Sequence, residues 1–416
     1  MLAGLLIGIV SGVAANLFAG DSPRLAVFVQ YVTEPAGRIF LRLLFMLVIP
    51  LILSALALGV AGLGDMRSLG RIGLKTLAYT VSVSAIAVLI GITLVDTLRP
   101  GEGLSPALKA RLASQATSVP APAASSTHAG GMDFFVALVP SNIVKAMGDG
   151  DMLAVMVFAL FLGVGLALTK TAAARAFERA LEGLYDVTMK LLGIVIQAAP
   201  LGVACLLFTL TARLGIDVLR QLGAYVLVVL LGLVIHQFGV YSLSVAWLGH
   251  MSPRRFFRGV RAPMLTAFST ASSNATLPTA LLAAEEELHL PSHVSRFVLT
   301  IGSTANQNGT ALFEGVTVLF LAQFYGIDLT FAQQVTVVLI CILGGIGTAG
   351  VPAGSIPVIV MILGRVHVPA EGIGMIIGVD RFLDMCRTTI NVTGDLAAAV
   401  VVSRGETVPV GAKEAA

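Results

Sequence analysis

Long apolar stretches, separated by short polar or basic connections, recur along almost the whole chain. The first six are each long enough to cross the roughly 30 Å hydrocarbon layer of a bilayer as a helix. The pattern therefore predicts a polytopic helical membrane protein rather than a soluble protein with one anchor. The six predicted spans are roughly 2–19, 38–63, 74–97, 133–169, 189–212 and 222–249.

The pattern changes after residue 250. Segments 258–288 and 330–366 are apolar, but each is interrupted by small and polar residues, at 269–278 in the first and at 344–355 in the second. The helical flanks are too short to cross a bilayer alone, so two helical hairpins that enter the membrane and turn back fit the pattern best. The alternative is a pair of ordinary spans kinked at glycine. Paired broken segments of this kind are typical of a transporter's binding site.

A further predicted span, 293–322, is interrupted between the two hairpins. The interrupting run is Asn306-Gln307-Asn308-Gly309-Thr310. These residues form a poor helix and leave backbone carbonyls free. Such carbonyls are suitable ligands for a bare cation.

The last apolar segment carries an unusual number of polar and ionisable residues. At about 100° per residue, six of them fall on one stripe of a helix, roughly 100° wide. Ionisable groups at membrane depth are costly unless they are paired or face water, so the stripe predicts a substrate or ion site. Its members are Asp380, Asp384, Arg387, Thr388, Asn391 and Asp395.

The composition agrees with a membrane protein. Of 416 residues, 56% are hydrophobic and 12% are charged, which is about half the charged fraction of a soluble domain. The net charge of +3 is small, and no basic cluster with interleaved aromatic residues suggests a nucleic-acid partner.

The three cysteines match no metal-ligand spacing and are expected to be buried packing thiols. His236, in the sixth predicted span, is expected to be a hydrogen-bonded packing residue, with a proton relay as the alternative.

Basic residues cluster in alternate loops, and this predicts the orientation of the chain. The Lys- and Arg-rich loops around 67–75, 170–179 and 254–261 are expected to be cytoplasmic. That choice places the N-terminus inside and the Pro/Ala/Ser-rich segment 99–131 outside, as a flexible solvated loop. The first apolar segment has no basic lead or cleavage site, so it is expected to be a retained span. The expected location is the cell (inner) membrane.

Four features of the second half occur in a fixed order. They are a serine-rich first hairpin tip, the interrupted helix, a Gly-Thr-Ala-Gly-Val-Pro run at 347–352, and the pattern Asp-x-x-x-Asp-x-x-Arg-Thr-x-x-Asn-x-x-x-Asp at 380–395. Together they resemble the dicarboxylate/amino acid:cation symporter family, the glutamate and aspartate transporters. The resemblance spans essentially the whole chain and is densest from residue 258 onward.

The resemblance implies an all-α polytopic membrane protein with eight transmembrane helices and two re-entrant helical hairpins, assembled as a homotrimer. In each subunit a transport domain would slide across the lipid bilayer against a fixed scaffold, which is an elevator mechanism. The expected divisions are two spans at 1–73, mainly scaffold; a third span at 74–98, in the transport domain; the extracellular loop at 99–131; scaffold and trimerisation spans at 132–220; and the remaining transport domain at 221–410.

The resemblance also implies which residues bind the substrate. Arg387 would pair with the substrate's side-chain carboxylate, because a planar guanidinium suits a carboxylate. Asp384 would hold the ammonium group. An open alternative is that Asp384 and Arg387 only neutralise each other. The other expected contacts are Thr388 and Asn391 on the last helix, Thr310 at the interruption, Ser273 at the first hairpin tip, and Gly350 and Val351 at the second.

These roles bear on the chemical class of the substrate. A C4-dicarboxylate has no ammonium for Asp384 to bind, and a neutral amino acid would leave Arg387 unpaired. The expected substrate is therefore an acidic amino acid, L-glutamate or L-aspartate. A neutral amino acid or C4-dicarboxylate carrier on the same fold is the alternative. An enzyme is not expected, because no motif places a histidine beside a serine nucleophile or a paired aspartate.

The sequence departs from the sodium-coupled pattern of the resembled family. Asn308 stands where that family usually has a sodium-ligating aspartate, and Val83 stands where the same site has a threonine. Hard cations need oxygen donors, so this site is expected to be disabled. Gln307 replaces a methionine near a second sodium site of that family, which would be formed by carbonyls around Thr304, Ile346 and Thr348. A third, residual sodium site is expected from Asp395, Gly302, Asn306 and Asn391.

Glu314, one helical turn beyond Thr310, is the expected proton carrier. Relatives that co-transport a proton have glutamate at this position, and desolvation disfavours the charged form of a buried carboxyl. Two alternatives are a purely structural carboxyl and a carboxyl that pairs with Arg387 when substrate is absent. The expected activity is proton-coupled uptake of acidic amino acids with weak or absent sodium dependence and no bound cofactor. A sodium-coupled symporter is the main alternative, and a substrate-gated anion channel is a weaker one.

Overall fold

A computed structural model of the chain describes residues 2–20, 22–61, 66–102, 139–149, 152–215, 217–347 and 355–406. Across these ranges the structure is helical and has no β-strand. The all-α class predicted from the sequence is therefore confirmed. Most of the predicted extracellular loop lies outside the described residues, as do Thr348, Gly350 and Val351 at the predicted second hairpin tip.

The first half of the chain forms helices whose bounds follow the apolar stretches. Short π-helical stretches, Val29–Thr33, Ile235–Val240 and Ser244–Leu248, continue three of them. The α-helices are α1 (Leu2–Ala19), α2 (Pro23–Phe28), α3 (Glu34–Met46), α4 (Val48–Ala61), α5 (Met66–Leu98), α6 (Ile143–Gly148), α7 (Met152–Leu168), α8 (Ala172–Gln197), α9 (Ala199–Leu214), α10 (Asp217–Val234) and α11 (Tyr241–Leu243).

The second half consists of shorter helices followed by one long helix. A π-helical stretch, Ala283–Glu287, and a 3₁₀ turn, Ala370–Gly372, complete it. The α-helices are α12 (Pro253–Gly259), α13 (Arg261–Thr270), α14 (Ser273–Leu282), α15 (Ser292–Ala305), α16 (Asn308–Tyr325), α17 (Phe331–Gly347), α18 (Ile356–Arg365) and α19 (Ile373–Ser403).

Prolines divide two of the predicted spans. Proline lacks a backbone N–H and its ring collides with the carbonyl four residues earlier, so it kinks or ends a helix. Pro50 follows the junction between α3 and α4, and Pro200 follows the junction between α8 and α9, where the chain bends by 56°. By length and composition, two helical stretches of the described chain are apolar enough to cross a membrane, Arg71–Leu98 and Leu219–Leu248, and the bent pair would be a third. The count of eight spans stays a prediction.

Two of the interruptions predicted after residue 250, the first hairpin tip and the break at 306–310, lie within the described residues, and both are shorter than the sequence indicated. In the first, α13 ends at Thr270, the next residue, Ala271, has a left-handed φ of 50°, and α14 begins after Ser272. The break between α15 and α16 is confined to Asn306 and Gln307. Residues 344–347, predicted to belong to the second break, lie in the last turn of α17. Whether the hairpins re-enter a membrane stays a prediction.

The helices pack in two groups. In the first, α1 and α3 pack on α9, while α7 and α8 pack on α4. In the second, α5, α10, α13, α15 and α16 pack around the last helix, α19, which also contacts α9. The helix α16 is buried on all faces from Asn308 to Ala322, and its polar residues Thr310 and Glu314 are buried with the rest. The polar stripe of α19 is thus placed inside the second group.

The start of α5 and the residues just after α19 are joined by ion pairs at the surface. Beyond α19, the carboxylate of Glu406 accepts hydrogen bonds from Arg71 Nη2 at 2.5 Å and from Lys75 Nζ at 2.9 Å, both on α5. These hydrogen bonds, from Lys75 first and then Arg71, hold the pKa of Glu406 below its usual value. Arg404 donates to the Leu248 carbonyl. The ends of α5 and α19 and the end of the Ser244–Leu248 stretch therefore lie on one side of the molecule.

A glycine stripe brings α1 and α9 into close contact. Gly4, Gly8 and Gly12 recur every four residues, and a Cβ on any of them would collide with α9. At Gly8 that Cβ would lie 2.6 Å from the carbonyl oxygen of Ala204. Small residues at this spacing let the backbones of membrane helices approach closely. The first predicted span is thus fixed to the fifth by shape rather than by charge.

We expect Gly8→Ala to destabilise the protein by about 1–3 kcal/mol, because the added methyl group forces α1 away from α9. The matched control is Gly165→Ala on α7, where an added Cβ meets nothing within 4 Å. That control should be neutral or slightly stabilising, since alanine favours a helix. Thermal unfolding of the detergent-purified protein measures both effects. Equal midpoints for the two variants would contradict the close packing.

Candidate functional site

The polar stripe predicted from the sequence lies on one uninterrupted helix, α19, and faces inward. Its six members are each at most 5% exposed, although three are acids and one is an arginine. The side chain of Arg381, which falls off the stripe, is 42% exposed. The helical periodicity of the sequence therefore located the buried polar face correctly.

Arg387 is held by two carboxylates of its own helix. Its Nη1 lies 2.8 Å from Asp380 Oδ1, and its Nη2 lies 3.0 Å from Asp384 Oδ1. The guanidinium carbon lies 4.1 Å from the ring centroid of Phe313 on α16, which is a cation–π contact. Two acids thus face one cation in a buried environment.

The two ion pairs of Arg387 use only part of its hydrogen-bonding capacity. Asp380 makes the shorter of the two bonds to Arg387. The pairing of Arg387 with Glu314 in the absence of substrate stays a prediction. A guanidinium carries five N–H donors, so its bonds to Asp380 and Asp384 do not exhaust its capacity for a further anion.

Asn391 binds the last helix to the break between α15 and α16. Its Oδ1 accepts from the backbone N–H of Gly309 at 2.7 Å. Its Nδ2 donates to Gln307 Oε1 at 2.5 Å and to Thr310 Oγ1 at 3.1 Å. Asn391 and Thr310, both predicted to bind substrate, are therefore brought together, but the amide of Asn391 is already used within the protein. Thr388, one turn earlier on α19, is buried on the same face.

Asn308 occupies a second junction on the other side of the break. It is fully buried, its Oδ1 accepts from Ser84 Oγ at 2.6 Å, and its Nδ2 donates to Tyr241 Oη at 3.1 Å. The Tyr241 hydroxyl in turn donates to the Ile390 carbonyl at 3.0 Å. Val83, adjacent to Ser84, is buried and offers no oxygen. Every polar atom of the Asn308 side chain is bonded to a neutral group.

Asp395 meets the break one turn beyond Asn391. Its Oδ1 accepts from Asn306 Nδ2 at 2.9 Å. Gly302 lies against the same carboxylate, and a Cβ there would overlap Asp395 Oδ1. Within the described residues Asn306 Oδ1 is buried and has no hydrogen-bond partner. Three of the residues expected to form a residual sodium site, Asp395, Gly302 and Asn306, therefore lie together with oxygen atoms that suit a hard cation.

The first hairpin tip lies against α19. Ser273, predicted to contact substrate, is the first residue of α14 and is buried. The preceding Ser272 caps that helix, its side chain accepting from the backbone N–H of Ala275 at 3.2 Å. Side-chain caps of this kind satisfy helix N–H groups that have no intrahelical partner. The tip is thus a formed structure, and the two helices that flank it, α13 and α14, both contact α19.

The second hairpin is described only in part. Gly350, Val351 and Thr348 lie outside the described residues, so their predicted roles stay predictions. Ile346 lies in the last turn of α17. The Thr304 hydroxyl donates to the Ile301 carbonyl at 3.0 Å within its own helix. The second sodium site therefore stays a prediction.

Glu314 is fully buried on α16, and among the described residues neither carboxyl oxygen has a hydrogen-bond partner. It lies beside α17 and α18, since a Cβ on Gly344 would lie 3.0 Å from Glu314 Oε2 and 2.7 Å from a Val358 methyl. A carboxyl group that is buried without partners is costly in its charged form. The position predicted to carry a proton is thus apolar and closed.

Several residues of the site were not identified from the sequence. Tyr241 and Ser84 bond to Asn308, and Phe313 stacks on Arg387. A hydroxyl-bearing residue in an otherwise apolar span was the only signal for the first two. The prediction that His236 is hydrogen-bonded is wrong, since neither ring nitrogen has a hydrogen-bond partner among the described residues. Its ring packs edge-on against Tyr241, with the centroids 4.7 Å apart.

The arrangement combines a buried guanidinium, paired acids and bonded amides around a helix break. It offers donors to a carboxylate and acceptors to an ammonium group or a small cation. In the part of the chain that the structure describes, no group of three or more His, Cys, Asp or Glu side chains is arranged to hold a metal ion. The three cysteines are free thiols, of which Cys341 is fully buried.

Comparison with known proteins agrees with this architecture. The chain is 35% identical to the proton/glutamate-aspartate symporter of Escherichia coli (strain K12) over 374 residues, 90% of this chain and 85% of that protein. It is 32% identical to the proton/sodium-glutamate symport protein of Bacillus caldotenax over 405 residues, 97% of this chain and 93% of that protein. It is 30% identical to excitatory amino acid transporter 2 of Rattus norvegicus over 457 residues, 96% of this chain and 77% of that protein.

A sequence profile of the sodium:dicarboxylate symporter family matches residues 1–405. The match covers both helix groups, the three interruptions and the polar stripe of α19. The resemblance inferred from the four ordered features is therefore confirmed. The chain belongs to the sodium:dicarboxylate symporter family.

Proposed function

We propose that this protein is a secondary active symporter that takes up acidic amino acids, L-glutamate or L-aspartate, with protons as the main coupling ion. The observation that carries the proposal is the buried cluster of Arg387, Asp380 and Asp384 on α19. The names of the relatives in Escherichia coli and Bacillus caldotenax, which specify glutamate symport, support it.

The charges of the cluster fit a zwitterion with an acidic side chain. The two buried carboxylates outnumber the one buried guanidinium, and the partly exposed Arg381, 3.9 Å from Asp384 Oδ2, offsets only part of that excess of negative charge. An ammonium group beside Asp384 would offset that excess, and the substrate's side-chain carboxylate would use remaining donors of Arg387. Backbone groups at the hairpin tips, with Thr388, Ser273 and the second-tip residues, would bind the main carboxylate.

Glu314 is the proposed site of the co-transported proton. Its full burial and the lack of hydrogen-bond partners among the described residues favour a neutral carboxyl. A proton bound on one side of the membrane and released on the other needs a carboxyl whose surroundings change. The hairpin formed by α17 and α18, which covers Glu314, would provide that change when it opens.

Sodium-coupled uptake is the second candidate. It is favoured by the cluster of Asp395, Asn306 and Gly302. There the buried Asp395 carboxylate accepts from Asn306 Nδ2, and the Oδ1 atom of the same amide has no hydrogen-bond partner among the described residues. Such oxygens suit a sodium ion. The neutral Asn308 and the apolar Val83 weigh against a full set of sodium sites.

The proposed mechanism is an elevator in a homotrimer. The helices around α19 would form the transport domain, and α1, α3, α4, α7, α8 and α9 would form the scaffold. This division follows the predicted boundaries, with 74–98 and 221–410 mobile and 1–73 and 132–220 mainly fixed. The protein would lie in the cell inner membrane with a cytoplasmic N-terminus.

Uptake of radiolabelled glutamate and aspartate into proteoliposomes tests the proposal. We expect uptake under an inward proton gradient without sodium, and little uptake under a sodium gradient alone. Strong uptake with sodium alone, and none with a proton gradient, would favour the second candidate instead.

In the same assay Arg387→Gln should weaken transport of acidic amino acids about 100-fold, since a buried charged partner is lost. The matched control is Arg220→Gln, an exposed arginine at the start of α10, which should transport normally. Unchanged apparent affinity in the Arg387 variant would remove that residue from the substrate site.

We expect Glu314→Gln to flatten the pH dependence of uptake, because an amide cannot exchange a proton in this range. Glu286→Gln, at an exposed position after α14, serves as the control and should keep the pH profile of the unmodified protein. Initial rates in proteoliposomes at a series of external pH values measure the effect. A full pH response in the Glu314 variant would place the proton on another group.

A further inference from the structure

The break between α15 and α16 is closed by side-chain amides of the protein itself. On one side, Asn308 links α16 to Ser84 of α5 and to Tyr241, and Tyr241 continues the link to the Ile390 carbonyl of α19. A single neutral side chain thus connects three segments that meet at the break. The side chain is fully buried, so water does not compete for these bonds.

The side-chain amide of Gln307, the residue before Asn308, also links separate helices at the break. Gln307 Nε2 donates to the Ser303 carbonyl at 3.1 Å, and Gln307 Oε1 accepts from Asn391 of α19. The backbone N–H of Gln307 donates to the Gly345 carbonyl of α17 at 3.2 Å. Gln307 therefore joins α15, α17 and α19 at the level of the break.

A buried helix break requires compensation, because backbone groups released from a helix cost free energy when they stay unpaired. The compensation can come from a bound cation or from donors and acceptors of the protein. The Asn308 side chain faces the Tyr241 hydroxyl with its amide NH₂ group, whose hydrogens carry partial positive charge. A cation does not fit beside such donors, and the adjacent Val83 supplies no oxygen.

We propose that the side chains of Gln307 and Asn308 form a permanent amide bridge that replaces a monovalent cation at this break, and that Asn308 sets the cation selectivity of the protein. The inference deepens the proposed function and rests on it for its link to transport. Asn308 acts here as a positioning residue, since it holds α5, α16 and α19 together and does not itself contact the substrate.

The amide bridge predicts what a carboxylate at position 308 would do. Asn308→Asp exchanges the NH₂ group for a second oxygen and places a buried anion between the hydroxyls of Ser84 and Tyr241. Those hydroxyls and the Ile390 carbonyl supply further oxygens nearby. A buried carboxylate without a counter-ion is strongly unfavourable, so the variant should recruit a small cation.

The test measures thermal unfolding of the purified full-length protein without substrate, in sodium chloride and in choline chloride of equal ionic strength and pH. We expect Asn308→Asp to unfold several degrees lower than the unmodified protein in choline, and to recover much of this loss as sodium is added, with saturation. The sodium-induced shift should exceed that of the unmodified protein. The control is Asn142→Asp, the same change at the exposed cap of α6, which should respond to sodium as the unmodified protein does.

A sodium-induced shift in Asn308→Asp that equals that of the unmodified protein would overturn the amide bridge. If the variant does not fold, hydrogen exchange of residues 303–311 in the unmodified protein decides the question. Protection that is equal in sodium and choline supports the bridge, and protection that requires sodium contradicts it. Both readouts are obtained without substrate, so they are independent of the uptake assays that test the proposed function.

Discussion

The buried guanidinium of Arg387 is the group on which the second helix group depends. A charged side chain at membrane depth is expensive unless other groups surround it, and truncating one partner of a buried pair costs about 3–5 kcal/mol. Asp380 and Asp384 from the same helix and the ring of Phe313 from α16 provide these surroundings. Keeping water out and those partners in place requires α13, α15 and α16 to close around α19, so one charge organises the packing of the whole group.

The two helix groups are held together by different kinds of force. In the first, α1 and α9 approach through glycines and gain mainly van der Waals contact. In the second, amides and hydroxyls cross-link broken helices, because each interruption releases backbone groups that must be bonded again. Asn391, Gln307 and Asn308 meet this requirement without a charge. The result is a polar interior that can stay assembled as one body.

Polar groups of this interior fall into two sets. The amides of Gln307, Asn308 and Asn391 have their side-chain donors and acceptors bonded within the protein, which makes them structural. Glu314 and the Oδ1 atom of Asn306 are buried without hydrogen-bond partners among the described residues. Groups of the second set are the ones whose occupancy can change at low structural cost, by gaining a proton or a cation. The proposed coupling of transport to a proton or a cation therefore depends on these two buried groups, Glu314 and Asn306 Oδ1.

The sequence alone determined the all-α class, the inward stripe of α19 and the existence of the interruptions. These follow from periodicity and from local backbone preferences, which act over a few residues. It placed 344–347 outside a helix, whereas the tertiary structure keeps them helical in α17. Only the tertiary structure decided that Asn308 bonds to Ser84, which is 224 residues away, and that the ring of Phe313 on α16 lies against Arg387. Such partners are chosen by how distant helices pack, and no short-range pattern contains that information.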